Sequence, residues 1–480
     1  MARRGMRYRD KGCVRRSREI TVCVAAVLIG VAAAGPASRL ANAAPMTAGT
    51  WQARQLPVPA EAQSTNAEFV GPISCPAAGG CVVLGQYITA GGADEDSVLA
   101  EKSGGWTATR AFLPVGARQA TNLGPYGLVC ADVGNCVGTS VYARATSLAA
   151  EILREVKGVW SSITLPLPSN ANTMWPSIAS VACGVAGGCM IVGKYTTTSD
   201  LSEGLIVWEQ AGVFTAVEAP TPGAPNDGAG LTSVACFTTT ECVAVGYYDT
   251  SSGDREGLIV GDHGGTVASI AAPLPANAGP NPVAILDSVS CGSSTGCDAL
   301  GQYETSTASH LGVIDSRGMG PWGASAMPVP TGSSLANPSP VIYAMSCKGT
   351  TSCLGVGRYT DSSSATQGLV LVEQSSHWSA SIMPDTSGTT PVVQAVSCSS
   401  ATSCAAAGHH LVSGKTIGYI MTLSGTVLSG GNAPAPGNAS SDPGELLSSI
   451  SCVAADICTV TGTYAAASNP TVRLPVVISQ

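Results

Sequence analysis

The chain has 480 residues, of which only 11% are charged and 5% are aromatic, and its formal net charge is −8. Nine of the 23 basic side chains lie within residues 1–43, so the rest of the chain carries 14 basic and 29 acidic groups. Nucleic acid and anionic membranes bind basic surfaces. The composition therefore argues against both as partners.

The chain begins with the pattern of an export signal. Residues 1–18 contain eight basic side chains, an apolar run occupies residues 20–35, and the small residues Ala41-Asn42-Ala43 follow. This order predicts a secretory signal peptide over residues 1–43. An uncleaved membrane anchor and twin-arginine export, which Arg15-Arg16 would suit, are the alternatives. Once the signal is removed, we predict a secreted or cell-envelope protein with no membrane insertion.

A repeat based on cysteine pairs fills the rest of the chain, residues 44–480, which we predict to be a single repeat domain. Eight pairs each enclose five residues, and the first cysteines of neighbouring pairs lie 51 to 56 residues apart. The pairs are Cys75/Cys81, Cys130/Cys136, Cys183/Cys189, Cys236/Cys242, Cys291/Cys297, Cys347/Cys353, Cys398/Cys404 and Cys452/Cys458. This period is typical of propeller blades and solenoid repeats, whose units stack because none can bury a core alone. Sixteen paired thiols indicate eight disulfides formed outside the cytosol.

Each unit has the pattern of four short strands. In the third unit they are Ser180–Cys183, Cys189–Tyr195, Gly204–Glu209 and Val213–Val217, runs rich in β-branched and aromatic residues between turn-forming residues. The fourth strand recurs as an aromatic residue followed by a proline, which ends the strand because it has no N–H to donate. The paired cysteines face each other across the first hairpin, within disulfide range.

The two ends of the repeat region predict how the units close. Residues Trp51–Pro57 have the fourth-strand pattern with no first three strands before them, and the last unit ends after a third strand over residues 472–479. We therefore expect the N-terminal strand to complete the last unit. The result is an all-β, eight-bladed β-propeller of four-stranded antiparallel blades with one hairpin disulfide per blade. A ring of seven blades with a displaced unit is the alternative.

A Gly-x-Tyr motif follows the second cysteine in most units. We expect its glycine, as at Gly193 and Gly246, to let a neighbouring strand approach closely. We expect its tyrosine, as at Tyr87 and Tyr195, to pack between blades. In the seventh unit His409-His410 replaces the motif. This is the one place where the repeat changes toward a residue type common in binding sites.

The motif Ser-Val-Ser/Ala-Cys-x5-Cys-x-Ala-Val-Gly-x-Tyr, seen best in residues 233–248, resembles the repeats of secreted actinobacterial proteins of sialidase-like and related β-propeller type. The resemblance covers residues 51–480 and implies a secreted propeller. It supplies no catalytic motif. The sialidase Asp box, Ser-x-Asp-x-Gly-x-x-Trp, is absent from every unit, so no site residue is transferred from that family.

The candidate ligand-binding residues are polar groups near the predicted junctions of second and third strands, together with the histidine pair. They are Asp249, Asp254, Glu256, Glu304, His409 and His410. A further acidic cluster, Asp94-Glu95-Asp96, is expected in the same loop of the first unit. A calcium site at an acidic cluster is the alternative to a solvated acidic edge, although no Asp-x-Asp-x-Asp-Gly loop is present. The cysteine gaps are longer than zinc sites use, and we predict no metal, no cofactor and no catalytic residue.

These patterns favour a monomeric, non-enzymatic binding protein, secreted or at the cell surface. Its rim loops would hold a glycan, a peptide or an envelope protein, since loops on a fixed scaffold are free to vary. The regularity of the repeat supports this hypothesis, because an active site normally interrupts such a pattern. The alternative is an extracellular carbohydrate-active hydrolase or lyase that uses rim carboxylates.

Overall fold

The computed structural model describes residues 51–63, 69–114, 117, 125–144, 147–172, 176–184, 188–210, 212–223, 228–238, 240–263, 265–293, 296–318, 320–334, 336–385 and 389–480. The predicted signal peptide, residues 1–43, lies outside these residues. The described part of the chain contains 32 strands and no helix. In that part, accordingly, no helix has the length and apolarity needed to cross a membrane.

The strands form eight separate four-stranded antiparallel sheets, the blades. In chain order they are β1 Gln52–Gln55, β2 Phe69–Ser74, β3 Val82–Ile88, β4 Asp94–Lys102, β5 Gly105–Arg110, β6 Gly127–Asp132, β7 Asn135–Ala143, β8 Leu148–Val156, β9 Val159–Thr164, β10 Ser177–Cys183, β11 Cys189–Thr196, β12 Ser202–Gln210, β13 Val213–Glu218, β14 Ala229–Cys236, β15 Glu241–Asp249, β16 Arg255–His263, β17 Thr266–Ala271, β18 Ile285–Ser293, β19 Gly296–Glu304, β20 His310–Arg317, β21 Gly323–Ala326, β22 Val341–Cys347, β23 Ser352–Thr360, β24 Thr366–Gln374, β25 His377–Ile382, β26 Val392–Ser400, β27 Ser403–Val412, β28 Lys415–Ser424, β29 Val427–Asn432, β30 Leu446–Ala454, β31 Ile457–Ala466 and β32 Asn469–Ser479. Blade 1 is β2–β5, blades 2 to 7 follow in groups of four strands, and blade 8 is β30, β31, β32 and β1. The prediction of eight blades is confirmed, and the seven-bladed alternative is wrong.

The ring closes where the two ends of the described chain meet. β1 pairs antiparallel with β32, with Gln52 opposite Ser479 and Gln55 opposite Val476. Trp51, just before β1, is 5% exposed and packs in the apolar cluster shared by blades 7 and 8. The first strand of each blade also contacts the first strands of both neighbouring blades, β2 and β30 included. The predicted closure by the N-terminal strand is confirmed.

A repeated serine contact joins the first strands along the inner wall of the ring. The serine before the first cysteine of one blade accepts a hydrogen bond from the N–H of the first cysteine of the next blade. The donor and acceptor pairs are Cys130 and Ser74 (2.9 Å), Cys347 and Ser290 (2.9 Å), Cys398 and Ser346 (3.0 Å), Cys452 and Ser397 (3.0 Å), and Cys75 and Ser451 (3.0 Å). The last pair links blade 8 to blade 1, so the inner wall is closed independently of β1.

All eight predicted disulfides are present, one across the first hairpin of each blade. They join Cys75 to Cys81, Cys130 to Cys136, Cys183 to Cys189, Cys236 to Cys242, Cys291 to Cys297, Cys347 to Cys353, Cys398 to Cys404 and Cys452 to Cys458. In seven of these pairs the two cysteines are direct register partners on the first and second strands. Each bond closes a short loop and stabilises the fold by about 2 kcal/mol in the chain-entropy account.

The disulfides belong to the packed interior of the blades and not to an accessible site. The second cysteine of every pair is buried, with an exposed fraction between 2% and 6%; these residues are Cys81, Cys136, Cys189, Cys242, Cys297, Cys353, Cys404 and Cys458. Each of them packs in one of the apolar clusters between blades. Among the residues singled out from the sequence, the cysteines therefore have a structural role, and a ligand could not reach these second sulfurs without opening a blade.

The Gly-x-Tyr motif packs as predicted. A Cβ on Gly193 would lie 2.1 Å from the carbonyl oxygen of Ser177 on the paired first strand, so a larger residue there would force the strands apart. Tyr87 and Tyr195 are 1% and 2% exposed. Tyr195 lies in the apolar cluster that blades 2 and 3 share. The motif is therefore a device for close packing between strands and between blades.

The turns of each blade lie on two opposite rims. The disulfide rim carries the first hairpin turns and the turns between third and fourth strands. The loop rim carries the turns between second and third strands together with the loops that lead from one blade to the next. Isolated β-bridges join these two kinds of loop, for example Ala171 to Thr197 and Ala278 to Thr305. Both kinds of loop therefore lie on the same rim.

Because β1 closes the ring, we expect Trp51 to contribute more to stability than the equivalent aromatic residues of other blades. We expect Trp51→Ala to lower the free energy of unfolding by about 3–5 kcal/mol, because it empties a buried aromatic site on a strand that no hairpin holds in place. Equilibrium urea unfolding of the oxidised protein measures this. The matched control is Phe214→Ala, since Phe214 is a buried aromatic residue at the same repeat position on β13, which pairs with the preceding strand β12. Equal losses in the two variants would contradict a special role for closure.

Candidate functional site

The predicted acids of blade 4 lie at the β15–β16 turn on the loop rim. Arg255 makes a bidentate ion pair with the Asp249 carboxylate: Nε donates to Oδ1 at 2.7 Å, and Nη2 donates to Oδ2 at 2.9 Å. The same guanidinium lies over the ring of Tyr247, with Cζ 4.1 Å from the ring centroid. Asp249 is thus held in an internal ion pair and does not face a ligand as an isolated charge.

The other two acids of this turn are also bound internally, and Glu304 belongs to the next blade. The Tyr248 hydroxyl donates to Glu256 Oε2 at 2.5 Å, and burial followed by this bond raises the pKa of Tyr248. Asp254 accepts a hydrogen bond from the Ser252 hydroxyl at 2.7 Å. Glu304 ends β19 in blade 5. Asp249, Asp254 and Glu256 therefore lie at one turn, but Asp249 and Glu256 point to opposite faces of the hairpin and each acid has its own partner. Glu304 lies on a separate turn.

His410 occupies the tyrosine position of the seventh unit and is 1% exposed. Its Nδ1 lies 3.2 Å from Asp385 Oδ1, its Nε2 lies 2.8 Å from Asn432 Oδ1, and its ring meets Tyr419 edge-on. His409, on the opposite face of β27, is half-buried, and burial followed by the neighbouring His410 lowers its pKa. His410 therefore replaces a core tyrosine, and the two histidines do not form one site.

The expectation that Asp94-Glu95-Asp96 form a solvated loop is wrong. These residues begin β4, and Glu95 and Asp96 are 4% and 2% exposed. Glu95 accepts the Tyr87 hydroxyl at 2.9 Å and pairs with Arg110 Nε at 2.8 Å. Sequence reasoning failed here because the strand begins four residues before its first apolar side chain, Val98.

A polar cap on the buried tyrosines was also missed. The hydroxyls of Tyr195, Tyr303 and Tyr464 donate to asparagines in the loop that precedes their blade. The distances are 2.9 Å to Asn170, 2.8 Å to Asn277 and 2.7 Å to Asn438. The sequence does contain a pattern that could have predicted this cap. In all three loops an asparagine follows shortly after one or two prolines. These asparagines join the loop rim to the core.

The inner wall carries a set of residues that sequence reasoning did not single out. In seven blades the pairing of first and second strands shifts register at the same place, as at a β-bulge. In those seven blades the fourth residue before the first cysteine lies at the shift, whereas in blade 2 the residue at this position, Tyr126, comes just before β6. We call the eight residues at this position the axial ring. They are Gly71, Tyr126, Ala179, Thr232, Asp287, Tyr343, Gln394 and Ser448. Bulges re-aim side chains and often border binding sites.

Part of the axial ring faces solvent. Tyr126 and Tyr343 are 39% and 36% exposed, and Gln394 and Ala179 are exposed as well. The other tyrosines of the described chain are buried or half-buried. Tyr126 belongs to blade 2 and Tyr343 to blade 6, four blades apart in a ring of eight. The two partly exposed tyrosines therefore lie on opposite sides of the ring axis.

The remaining polar members of the axial ring bridge neighbouring blades. Thr232 donates to the carbonyl of Leu286 at 2.6 Å, and Ser448 donates to that of Val70 at 2.9 Å. Asp287 receives a backbone hydrogen bond from Ile342, while burial, the larger influence, raises its pKa to about 7. These side chains fix the spacing of the first strands around the axis.

The seam between blades 1 and 2 has two buried carboxyl groups at positions where most other units have glycine or an apolar residue. Asp96 lies on β4 of blade 1, and Ser140 and Glu151 are cross-strand partners in blade 2. Ser140 and Glu151 are wholly buried. Burial, above all, and the negative charge of Asp96 raise the pKa of Glu151 to about 8, against the lowering effect of a hydrogen bond from Ser162. Two carboxyl groups thus share one buried seam.

A second group of acids lies near a disulfide. Asp298 of blade 5 approaches Cys347 and Cys353 of blade 6, and its Oδ2 is 3.6 Å from Cys353 Sγ. Both sulfurs are already joined in a disulfide, and a disulfide sulfur is not the thiolate that binds metals. Burial and the charge of Asp298 raise the pKa of Glu373 to about 8. This cluster offers no metal centre.

Comparisons with known proteins find likeness of fold at low identity. No protein-family model matches the sequence, and no curated protein matches it. Similar solved structures are the β-propeller domain of the Trilobed protease from Pyrococcus furiosus (8% identity, TM-score 0.43, covering 77% of this chain and 98% of that one), the fucose-specific lectin from Aleuria aurantia (12%, 0.34, 68% and 98%) and the Trypanosoma rangeli sialidase (12%, 0.37, 79% and 56%). The likeness concerns the fold alone.

One buried acid predicts a pH dependence of stability. Asp315 on β20 is wholly buried, neither carboxylate oxygen has a hydrogen-bond partner among the described residues, and burial raises its pKa to about 8. The folded state holds this proton more tightly than the unfolded state, so its contribution to stability falls as the pH rises from about 4 to about 8. Other units place Leu99, Val207 and Leu371 at this position.

We therefore expect Asp315→Val to raise the free energy of unfolding at pH 8 by at least about 2 kcal/mol and to reduce its slope between about pH 4 and 8. Urea unfolding at a series of pH values measures both. Asp315→Asn is the matched control, since it removes the titration but keeps a buried polar group. An unchanged pH slope in both variants would contradict the assignment.

Proposed function

We propose that this is a secreted, non-enzymatic binding protein that holds a glycan or peptide chain at the axis of the propeller. The observation that supports the proposal is the pair of exposed tyrosines, Tyr126 and Tyr343, on opposite sides of the inner wall. Both occupy the axial-ring position of their units. A chain entering the axis from the loop rim passes between them.

The chemistry of the axial ring suits such a ligand. A tyrosine offers a flat apolar face for stacking and a hydroxyl for hydrogen bonding, and few rotamers are lost when it binds. Gln394 in blade 7, also exposed, adds an amide that can both donate and accept. Polar polymers such as glycans and peptides need this combination of stacking and hydrogen bonds. The first strands form a rigid scaffold for these side chains, which favours binding.

Variation within the repeat supports a role for this position. The surrounding residues of the first strand keep the pattern of serine, small apolar residues and cysteine, whereas the axial ring contains eight members of seven residue types. Packing constraints alone would repeat one residue type, as they do at the glycine of Gly-x-Tyr. A position freed from packing is available for recognition.

The hydrolase alternative has less support at the predicted acids. Glycoside hydrolysis needs two carboxyl groups that face the substrate. Asp249 is bound to Arg255 and Glu256 to Tyr248, so neither faces a ligand freely. Secretion, which the paired cysteines and the N-terminal pattern favour, places the ligand outside the cell.

The proposal predicts a loss of binding on removal of the tyrosines. Screening the oxidised protein against arrays of envelope glycans and extracellular peptides identifies a ligand, and isothermal titration calorimetry then gives its affinity. We expect Tyr126→Ala with Tyr343→Ala to weaken binding at least about tenfold, since each stacked aromatic contributes about 1 kcal/mol or more.

Phe112→Ala is the matched control. Phe112 is an aromatic residue with 58% exposure that lies outside the axial ring, so its removal should leave the affinity unchanged. Equal affinities in the wild type and the double tyrosine variant would reject the axial site. Turnover of an arrayed polysaccharide would reject the non-enzymatic assignment.

A further inference from the structure

The polar seam between blades 1 and 2 departs from the repeat at three facing positions. Asp96 stands where five other units have glycine, namely Gly204, Gly257, Gly312, Gly368 and Gly418. Glu151 stands where five other units have an aliphatic residue, namely Leu205, Leu258, Val313, Leu369 and Val476, while the first unit has Ser97 and the seventh has Tyr419. Ser140 replaces the glycine that all seven other units have at this position. Three departures at one seam indicate a specific use.

Equivalent residues in the next seam place the side chains of Asp96 and Glu151 in the same seam. Ala150 of blade 2 and Leu205 of blade 3 hold the positions of Asp96 and Glu151, and they pack in one apolar cluster. The negative charge of Asp96 also raises the pKa of Glu151, an effect smaller than that of burial, as expected for two acids in one seam. Ser140 lies directly across the strand pair from Glu151, so their side chains share one face.

The seam contains polar atoms without partners. Ser162 donates to Glu151 Oε2 at 2.6 Å, but Glu151 Oε1 is buried and has no hydrogen-bond partner among the described residues. The Ser140 hydroxyl is equally buried and equally unpartnered within the described chain. Buried polar groups are nearly always satisfied by protein, water or an ion. Glu151 and Ser140 therefore offer oxygen ligands beside a second carboxylate.

We infer that the seam between blades 1 and 2 binds a divalent cation of the calcium type through the carboxylates of Asp96 and Glu151 and the hydroxyl of Ser140. All three ligand atoms are oxygens, which hard cations prefer, and no thiolate or imidazole belongs to the set. A cation between the two buried carboxylates offsets their mutual repulsion. The site would tie blade 1 to blade 2, and its inference does not depend on the proposed axial binding of a chain.

Equilibrium dialysis of the oxidised full chain, stripped with EDTA and then returned to about 1 mM free Ca²⁺, tests the inference in the range where extracellular calcium modules bind. Elemental analysis should find about one Ca²⁺ per chain. The midpoint temperature of thermal unfolding should rise when Ca²⁺ is added and fall back when EDTA removes it, because a ligand that binds only the folded state stabilises it. Mg²⁺, which prefers to keep its water shell, should shift it less.

Three variants assign the site. Glu151→Gln keeps the shape of the side chain but loses the charge, and Ser140→Gly restores the residue of the other units; both should weaken Ca²⁺ binding at least about tenfold, because affinity follows ligand number and charge. Asp315→Asn is the matched control, a buried acid at another seam, and should bind Ca²⁺ like the wild type.

Less than about 0.1 Ca²⁺ per chain under these conditions would overturn the inference, as would equal binding by the wild type and Glu151→Gln. The first measurement uses the unmodified chain, so it holds even where a variant fails to fold. A chain that binds no cation but gains stability on acidification, with the gain absent in Glu151→Gln, would also overturn it and would indicate a shared proton instead.

Discussion

A blade of four short strands has two apolar faces, and each needs a neighbouring blade to cover it. In this protein the cover comes from small and medium side chains, such as Ile191 and Val207 against Val137. Small side chains fill a seam only when the backbones of neighbouring blades lie close together. Within each blade the glycine of the second strand lets the paired first strand approach closely, as Gly193 does with Ser177. An open row would leave one face of blade 1 and one face of blade 8 uncovered, so the seams require a ring.

The same constraint explains why the inner wall is free to vary. Glycine, cysteine and tyrosine positions of each unit belong to the packed parts of the blades and seams, where every change alters packing. In seven blades the bulge in the first strand turns one residue out of that packing, and in blade 2 Tyr126 lies just before the first strand. Thr232 and Ser448 use this freedom to bridge blades, while Tyr126 and Tyr343 remain exposed. A fixed scaffold with a variable ring at its centre is a sound basis for recognition.

Much of the fold could be predicted from the sequence because its signals are local. The cysteine gap, the strand patterns and the unpaired strand at Trp51 each lie within a few residues of one another. The sites depend instead on register and on neighbouring units. Asp96 and Glu151 are 55 residues apart and meet only across a seam, and a bulge appears only once two strands are paired. His410 was singled out for its residue type, yet its packing is that of a tyrosine.

The buried acids Asp315 and Glu151 both lie at seams but have different surroundings. We propose a ligand role only for Glu151, which has polar neighbours. Asp315 holds a position that is apolar in other units, and it has no hydrogen-bond partner in the described chain, so its charge only costs stability. Glu151 has a facing carboxylate, a facing hydroxyl and a hydrogen bond from Ser162. Eight similar seams together stabilise the ring. One seam can therefore have oxygen ligands in place of apolar packing without loss of the fold. In a repeat protein the loss of stability at one polar seam is offset by the other seams, whereas a single small core would not tolerate it.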